Sequence, residues 1–185
     1  IRRGLDPREF PMVVAGGAGA IHACLIADEL ELSTLVVPAA GEAASQTLLS
    51  TGAVWKYINN GSDLGSAWRA WRFDDTAWPS GPAELGYGDA GYFGGSRPEA
   101  TPIRPSGTPV YATAYFRREF MVTNANDTRE LTLELLRDDG AAVYLNGVEI
   151  ARQNLPTNAA FGTFALAAVT GGEEARFFPA AADPA

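Results

Sequence analysis

Arg137-Asp138-Asp139-Gly140-Ala141-Ala142-Val143-Tyr144-Leu145-Asn146-Gly147-Val148-Glu149-Ile150-Ala151 is the stretch whose reading decides the fold. Residues 142–145 and 148–151 are short, apolar-rich runs, and Asn146-Gly147 separates them. Both central residues of a type I′ turn need positive φ, which Asn and Gly tolerate best, so this is a two-residue β-hairpin. Asp138-Asp139-Gly140 reads as the tight turn that precedes it.

Working outward, the same period-two pattern recurs. Leu131-Thr132-Leu133-Glu134-Leu135-Leu136 is a strand, and so is Tyr115-Phe116-Arg117-Arg118-Glu119-Phe120-Met121-Val122. Val54-Trp55-Lys56-Tyr57-Ile58 alternates and stops at Asn59-Asn60-Gly61. Short strands at this spacing, separated by turn residues, predict an antiparallel β-sandwich from residue 53 onward. The 20 Gly and 12 Pro lie mostly after residue 50, as such a turn-rich architecture needs.

Residues 1–50 follow a different grammar. Met12-Val13-Val14-Ala15 reads as a buried strand broken by Gly16-Gly17-Ala18-Gly19, and 20–30 has good helix formers with an apolar side at Ile21, Cys24, Leu25 and Ile26. Leu35-Val36-Val37 reads as a second strand stopped by Pro38. This is one βαβ unit, too small to cover both faces of its own strands. The expected class is therefore mainly β, with a short α/β (βαβ) segment at 1–50 and a β module at 51–185. Residues 39–52 are a linker or carry a first strand around 47–49.

Composition removes several functions. A formal charge of −8 argues against a nucleic-acid partner. Cys24 and His22 are the only residues of their types, so neither a disulfide within the chain nor a Cys- or His-rich metal site is expected. No apolar run approaches the ~20 residues of a membrane-spanning helix, and no membrane partner is expected. The chain opens Ile1-Arg2-Arg3-Gly4 with no signal-peptide pattern, and it reads as a piece cut from something longer.

Individual residues invite chemistry that their surroundings do not support. Asp74 and Asp75 are adjacent, so on a strand they would point to opposite faces rather than across a substrate; an Asx turn that seats Trp78 is the better reading. Asp138 and Asp139 could ligate calcium, but a turn role is preferred. Trp55, Trp68 and Trp78 read as core, whereas Trp71 reads as a surface aromatic for stacking a sugar ring. His22 lacks partners for nucleophilic catalysis and reads as structural. Asn60-Gly61-Ser62 and Asn126-Asp127-Thr128 match the glycosylation pattern but read as turns.

Two resemblances add to these readings. Arg3-Gly4-x-Asp6-Pro7-Arg8-Glu9-Phe10, Gly16-Gly17-Ala18-Gly19-x-x-His22-Ala23 and Leu35-Val36-Val37-Pro38 resemble the C-terminal part of the hydantoinase A/5-oxoprolinase family. That resemblance implies a cytosolic, ATP-dependent amide hydrolase, with Gly16, Gly17 and Gly19 in a loop beside the nucleotide. After Pro38 the pattern stops. Trp55-Lys56-Tyr57, Gly65-x-Ala67-Trp68, Phe73-Asp74-Asp75-x-x-Trp78, Gly81-Pro82-Ala83-x-Leu85-Gly86-Tyr87-Gly88-Asp89, Tyr115-Phe116-Arg117-x-x-Phe120 and the hairpin stretch are similar to a bacterial galactose-binding-like jelly-roll module, as in family 2 glycosidases.

The second resemblance implies a non-catalytic accessory module of an extracellular parent protein, with carbohydrate as the ligand and Trp71, Tyr87, Asp89 and Tyr92 as ligand-binding residues. No catalytic residue, metal or cofactor is expected. Such modules continue with further strands after the equivalent of Asp183-Pro184, so the sandwich is expected to lack its last strands and to self-associate through open sheet edges, unless 35–37 or 47–49 fills the gap. The two resemblances belong to different compartments, and the whole reads as a partial or chimeric reading frame, such as a misassembled metagenomic fragment. Its alternative function is that of a hydantoinase A-type enzyme fragment.

Overall fold

In the computed structural model of the chain, residues 47–87, 99–104, 109–122, 131–170, 173 and 176–180 are described with their side chains. Residues 10–17, 23–26, 32–33, 37–38, 43–44 and 181 are described as backbone. The strands in chain order are β1 (Phe10–Gly17), β2 (Ala23–Ile26), β3 (Leu32–Ser33), β4 (Val37–Pro38), β5 (Ala43–Ala44), β6 (Thr47–Leu49), β7 (Val54–Ile58), β8 (Ser80–Pro82) and β9 (Leu85–Tyr87). They continue as β10 (Thr101–Pro102), β11 (Thr113–Phe120), β12 (Thr132–Asp138), β13 (Gly140–Leu145), β14 (Val148–Gln153) and β15 (Phe177–Ala181). A 3-10 turn spans Ala67–Arg69. The chain is mainly β, and there is no α-helix among the described residues.

Two sheets dominate. One has the order β14-β13-β1-β11-β7-β8 and the other β10-β9-β2-β12-β15; β3 pairs with β6 and β4 with β5. All pairings are antiparallel except β9 with β10. One apolar core draws on both sheets: Trp55, Phe116, Val143 and Ile150 from the first, Leu85, Leu133 and Leu135 from the second, with Leu49 of β6. Alternation decides which residues enter it. On β11, Ala114 and Phe116 face this core while Tyr115 faces the other way; on β13, Ala141 and Val143 face it while Ala142 and Tyr144 do not.

The hairpin forms as expected. Asn146 and Gly147 have φ of 51° and 87°, and Leu145 pairs with Val148 and Tyr144 with Glu149. The register shifts beyond Tyr144, so that Val143 pairs with Ala151. The strands expected at 54–58, 115–122 and 131–136 are β7, β11 and β12, and Thr47–Leu49 is a strand whose Leu49 is in the core.

The expected α/β segment is corrected. Ala23–Ile26, in the middle of the expected helix, is a strand paired with β9 and β12. A four-residue apolar run carries no period that separates a buried strand from a helix, so its long-range partners decide. Gly16 and Gly17 do not break β1 but extend it. They pair with Ala114 and Thr113 on one side and with Ala141 and Gly140 on the other. Of the expected strand at 35–37, the described part is Val37, in β4 with Pro38. Gly19 and His22 lie outside the described residues.

Asp138-Asp139-Gly140 is corrected in part. The chain does turn tightly there, with one residue between β12 and β13, but the turn joins two sheets, and both aspartates are buried, at 0% and 1% exposure. A Cβ on Gly140 would sit 2.8 Å from the Asn154 carbonyl oxygen, so this crossing requires glycine. Gly147 is needed for a different reason. A Cβ there meets only ordinary contact, 3.6 Å from the Arg69 carbonyl oxygen, and the positive φ alone strains other residues. Gly147→Val is therefore expected to lower unfolding stability by about 1 kcal/mol or more, measured as a fall in the urea midpoint. An unchanged midpoint would show that this turn does not hold the hairpin.

Candidate functional site

The face of the first sheet turned away from the core is not left to solvent. Outward residues of β11 and β13 (Tyr115, Arg117, Ala142, Tyr144) are all buried. Two segments cover them, and each is pinned by a buried charged group.

The first pin is Arg117, 1% exposed. Its Nε donates to Asp75 Oδ2 at 2.7 Å, and its Nη1 donates to the carbonyls of Trp68 and, at 3.1 Å, Ala70. Lys56 Nζ donates to the other Asp75 oxygen at 2.5 Å. One carboxylate thus joins β7, β11 and the 68–75 segment. Asp74 does what the sequence suggests: its Oδ1 accepts from the Thr76 amide at 3.1 Å and hydroxyl at 2.6 Å, an Asx-type turn. Trp78 packs partly buried beside Phe73, at 5.7 Å between centroids.

The second pin is the Asp139–Asn154 pair. Asp139 Oδ1 accepts from the Val169 amide at 2.7 Å, and Asn154 Nδ2 donates to the Asp139 carbonyl at 3.0 Å. Asn154 also donates to the Ala167 carbonyl and accepts from its amide. These bonds fold residues 154–169 back along β13 and β14, which fixes the position of Phe161. Its carbonyl accepts from Thr113 Oγ1 at 2.6 Å.

Between the two covering segments lies an open cavity of about 260 Å³. Trp68, Tyr115, Tyr144 and Phe161 give it aromatic walls; Asp63, Arg69 and Arg152 supply its charges. The rings are locked together. Trp68 meets Tyr115 and Tyr144 edge-on at 4.8 and 5.7 Å, and Tyr115 lies parallel to Phe161 at 6.4 Å. Burial pushes the Tyr115 and Tyr144 phenols up, so both stay protonated at neutral pH. Glu149 and Arg152 form a two-bond ion pair at 2.7 and 2.6 Å, which holds the Glu149 carboxyl down and raises Arg152. Rigid aromatic surface with a few directional polar groups suits reversible binding of a small polar ring.

The residues singled out from sequence fall elsewhere. Trp71 is half-buried just past the 3-10 turn, with the Arg72 guanidinium 4.2 Å over its ring, and does not line this cavity. Tyr87 is on β9 of the other sheet, partly buried against the core, with Arg104 5.1 Å over its ring. Asp89 and Tyr92 lie outside the described residues. Trp55 and Trp68 are buried as expected, though Trp68 also forms a cavity wall. Asn60 makes an Asx turn, its Oδ1 accepting from the Ser62 amide at 3.0 Å, and Asn126 lies outside the described residues. Among the described residues no three His, Cys, Asp or Glu side chains are grouped to hold a metal.

Burial pushes the Asp75 carboxyl up, but the hydrogen bonds from Lys56 and Arg117 outweigh it and hold the group below the ordinary aspartate value. The unfolded chain therefore takes up this proton first on acidification. The contribution of Asp75 is complete above about pH 5 and is lost below about pH 4, as pH falls through the depressed folded value. Asp75→Ala leaves Arg117 buried without its carboxylate, and is expected to cost about 3–5 kcal/mol in denaturant unfolding. It should also flatten the acid limb of stability against pH. A loss under about 1 kcal/mol would show that Arg117 does not depend on Asp75.

Residues 1–50, rather more than a quarter of the chain, match the hydantoinase/oxoprolinase family. A stretch of 38 residues is 47% identical to an uncharacterized protein, MJ0964, of Methanocaldococcus jannaschii; it covers 20% of this chain and 6% of that protein's length. No solved structure matches the chain. The family match lies in residues 1–50, while the cavity is built from residues after them.

Proposed function

We propose that the chain is a non-catalytic binding module with a jelly-roll-type sandwich, and that the outer-face cavity holds a saccharide ring. The observation that carries this reading is the cavity itself: four aromatic rings fixed against one another, with hydroxyl, carboxylate and guanidinium groups at their edges. Aromatic faces complement the C–H face of a pyranose, and the Tyr115 hydroxyl, which accepts from the Leu64 amide, supplies a directional donor. An extracellular parent protein belongs to the same reading, as does self-association through the sheet edges β14 and β15.

The test is binding of the full chain to a panel of neutral and acidic saccharides. Phe161 is half-buried, so Phe161→Ala should remove a wall with little loss of fold, weakening binding by about 1 kcal/mol, or roughly fivefold in Kd. No binding to any member of the panel would end the saccharide reading.

A second reading is favoured by the family match, which supports it and not the first: residues 1–50 act as part of a hydantoinase/oxoprolinase-type, ATP-dependent amide hydrolase. Steady turnover of ATP with hydantoin or 5-oxoproline, abolished by Gly17→Asp, would establish it. We expect no such turnover from this chain, since Gly16 and Gly17 are paired on both sides within a sheet rather than free to approach a phosphate.

A further inference from the structure

We propose that the saccharide held in the cavity is an acidic one, its carboxylate received by Arg69; this rests on the saccharide reading above and adds the ligand's charge. Arg69 ends the 3-10 turn and is half-buried. Its guanidinium lies 4.2 Å from the Tyr144 ring centroid and 5.7 Å from that of Trp68, so two aromatic faces hold it in place.

What distinguishes Arg69 is what it lacks. Lys56 and Arg117 pair with Asp75 and Arg152 pairs with Glu149, and none of these ion pairs uses Arg69, whose Nε is buried without a hydrogen-bond partner. Arg152, which lines the same cavity, is committed: Nε and Nη2 bind Glu149, and Nη1 donates to the Pro156 carbonyl. Arg69 is thus a positioned cation with its hydrogen-bonding fork unspent. A planar guanidinium matches a carboxylate with two parallel bonds, and partial burial strengthens such a pair.

Negative charge opposes an anion here: Glu149 already attracts Arg69, though its two oxygens are held by Arg152. Asp63 lines the cavity, but it is exposed at the rim, and its Oδ1 already accepts from the Gly65 amide at 2.9 Å. The chain as a whole carries −8. Salt screens exposed charges beyond about 8 Å, so a direct contact with Arg69 outweighs the distant surface. The aromatic walls then take the ring, and the carboxylate sets its orientation.

Shift titration of the isotope-labelled full chain by nuclear magnetic resonance tests this, with galacturonic and glucuronic acids against galactose and glucose. The acids should bind about tenfold more tightly than the neutral sugars. That preference should shrink at high salt, vanish in Arg69→Gln and be partly kept in Arg69→Lys. Equal binding of acidic and neutral sugars, or a preference that survives Arg69→Gln, overturns the role of Arg69 and leaves the saccharide reading standing. Absence of shifts with every sugar overturns both. Should Arg69→Gln fail to fold, the salt series on the unaltered chain decides, and a preference insensitive to salt overturns the proposal.

Discussion

The arrangement depends on one buried ion pair, Arg117 with Asp75. Arg117 sits on β11, whose neighbours in the sheet are β1 and β7, and its side chain leaves the sheet on the face away from the core. A guanidinium there would ordinarily reach water. It is instead 1% exposed, with a carboxylate and two carbonyls, all from 68–75, meeting its Nε and Nη1. Such a pair adds little net stability over a well-packed apolar alternative; its effect is to specify one position for the segment that supplies the acceptors. Trp68 then has to lie against Tyr115 and Tyr144, and Arg69 over Tyr144. The aromatic cluster follows from the ion pair.

The opposite wall is set by polar bonds of another kind. Asp139 and Asn154 exchange no charge, yet between them they bind the backbone of Ala167 and Val169. Asp139 can do so because the chain crosses between sheets at that point, which buries its carboxylate among backbone amides. The Asp-Asp-Gly stretch therefore serves the cavity at a distance. It makes the crossing, the crossing aims Asp139 at the 154–169 loop, and the loop delivers Phe161 to its place parallel to Tyr115.

How much of this was legible in the sequence depends on how local each determinant is. The hairpin was readable because Asn146 and Gly147 carry their own positive-φ preference. The Asx turn at Asp74 was readable for the same reason, since its partner Thr76 is two residues away. Asp75 was not: its partner Arg117 is 42 residues on, and nothing near Asp75 announces it. Ala23–Ile26 was misread because a short apolar run suits either a helix or a buried strand, and β9 and β12 make the choice. The cavity was missed because Trp71 and Tyr87 stand in turn-rich sequence, where surface aromatics are expected. A signal was available in the strands: Tyr115 and Tyr144 occupy outward positions of β11 and β13, where an unburied sheet would carry polar residues.

The place of β1 follows from strand direction. It is antiparallel to both β11 and β13, so those two strands run parallel to each other. Brought together directly they would form a parallel pair, with slanted hydrogen bonds and slightly weaker pairing per residue. A strand between them, running the other way, lets the sheet remain antiparallel from β14 to β8. Phe10–Gly17 takes that place. Its eight residues pair with the full eight of β11. Gly16 and Gly17 lie at the end of β1, beside Ala141 and Gly140, where the chain crosses between sheets. A strand partner on both sides satisfies the backbone of this glycine pair more completely than a loop would, and that is why it is extended here.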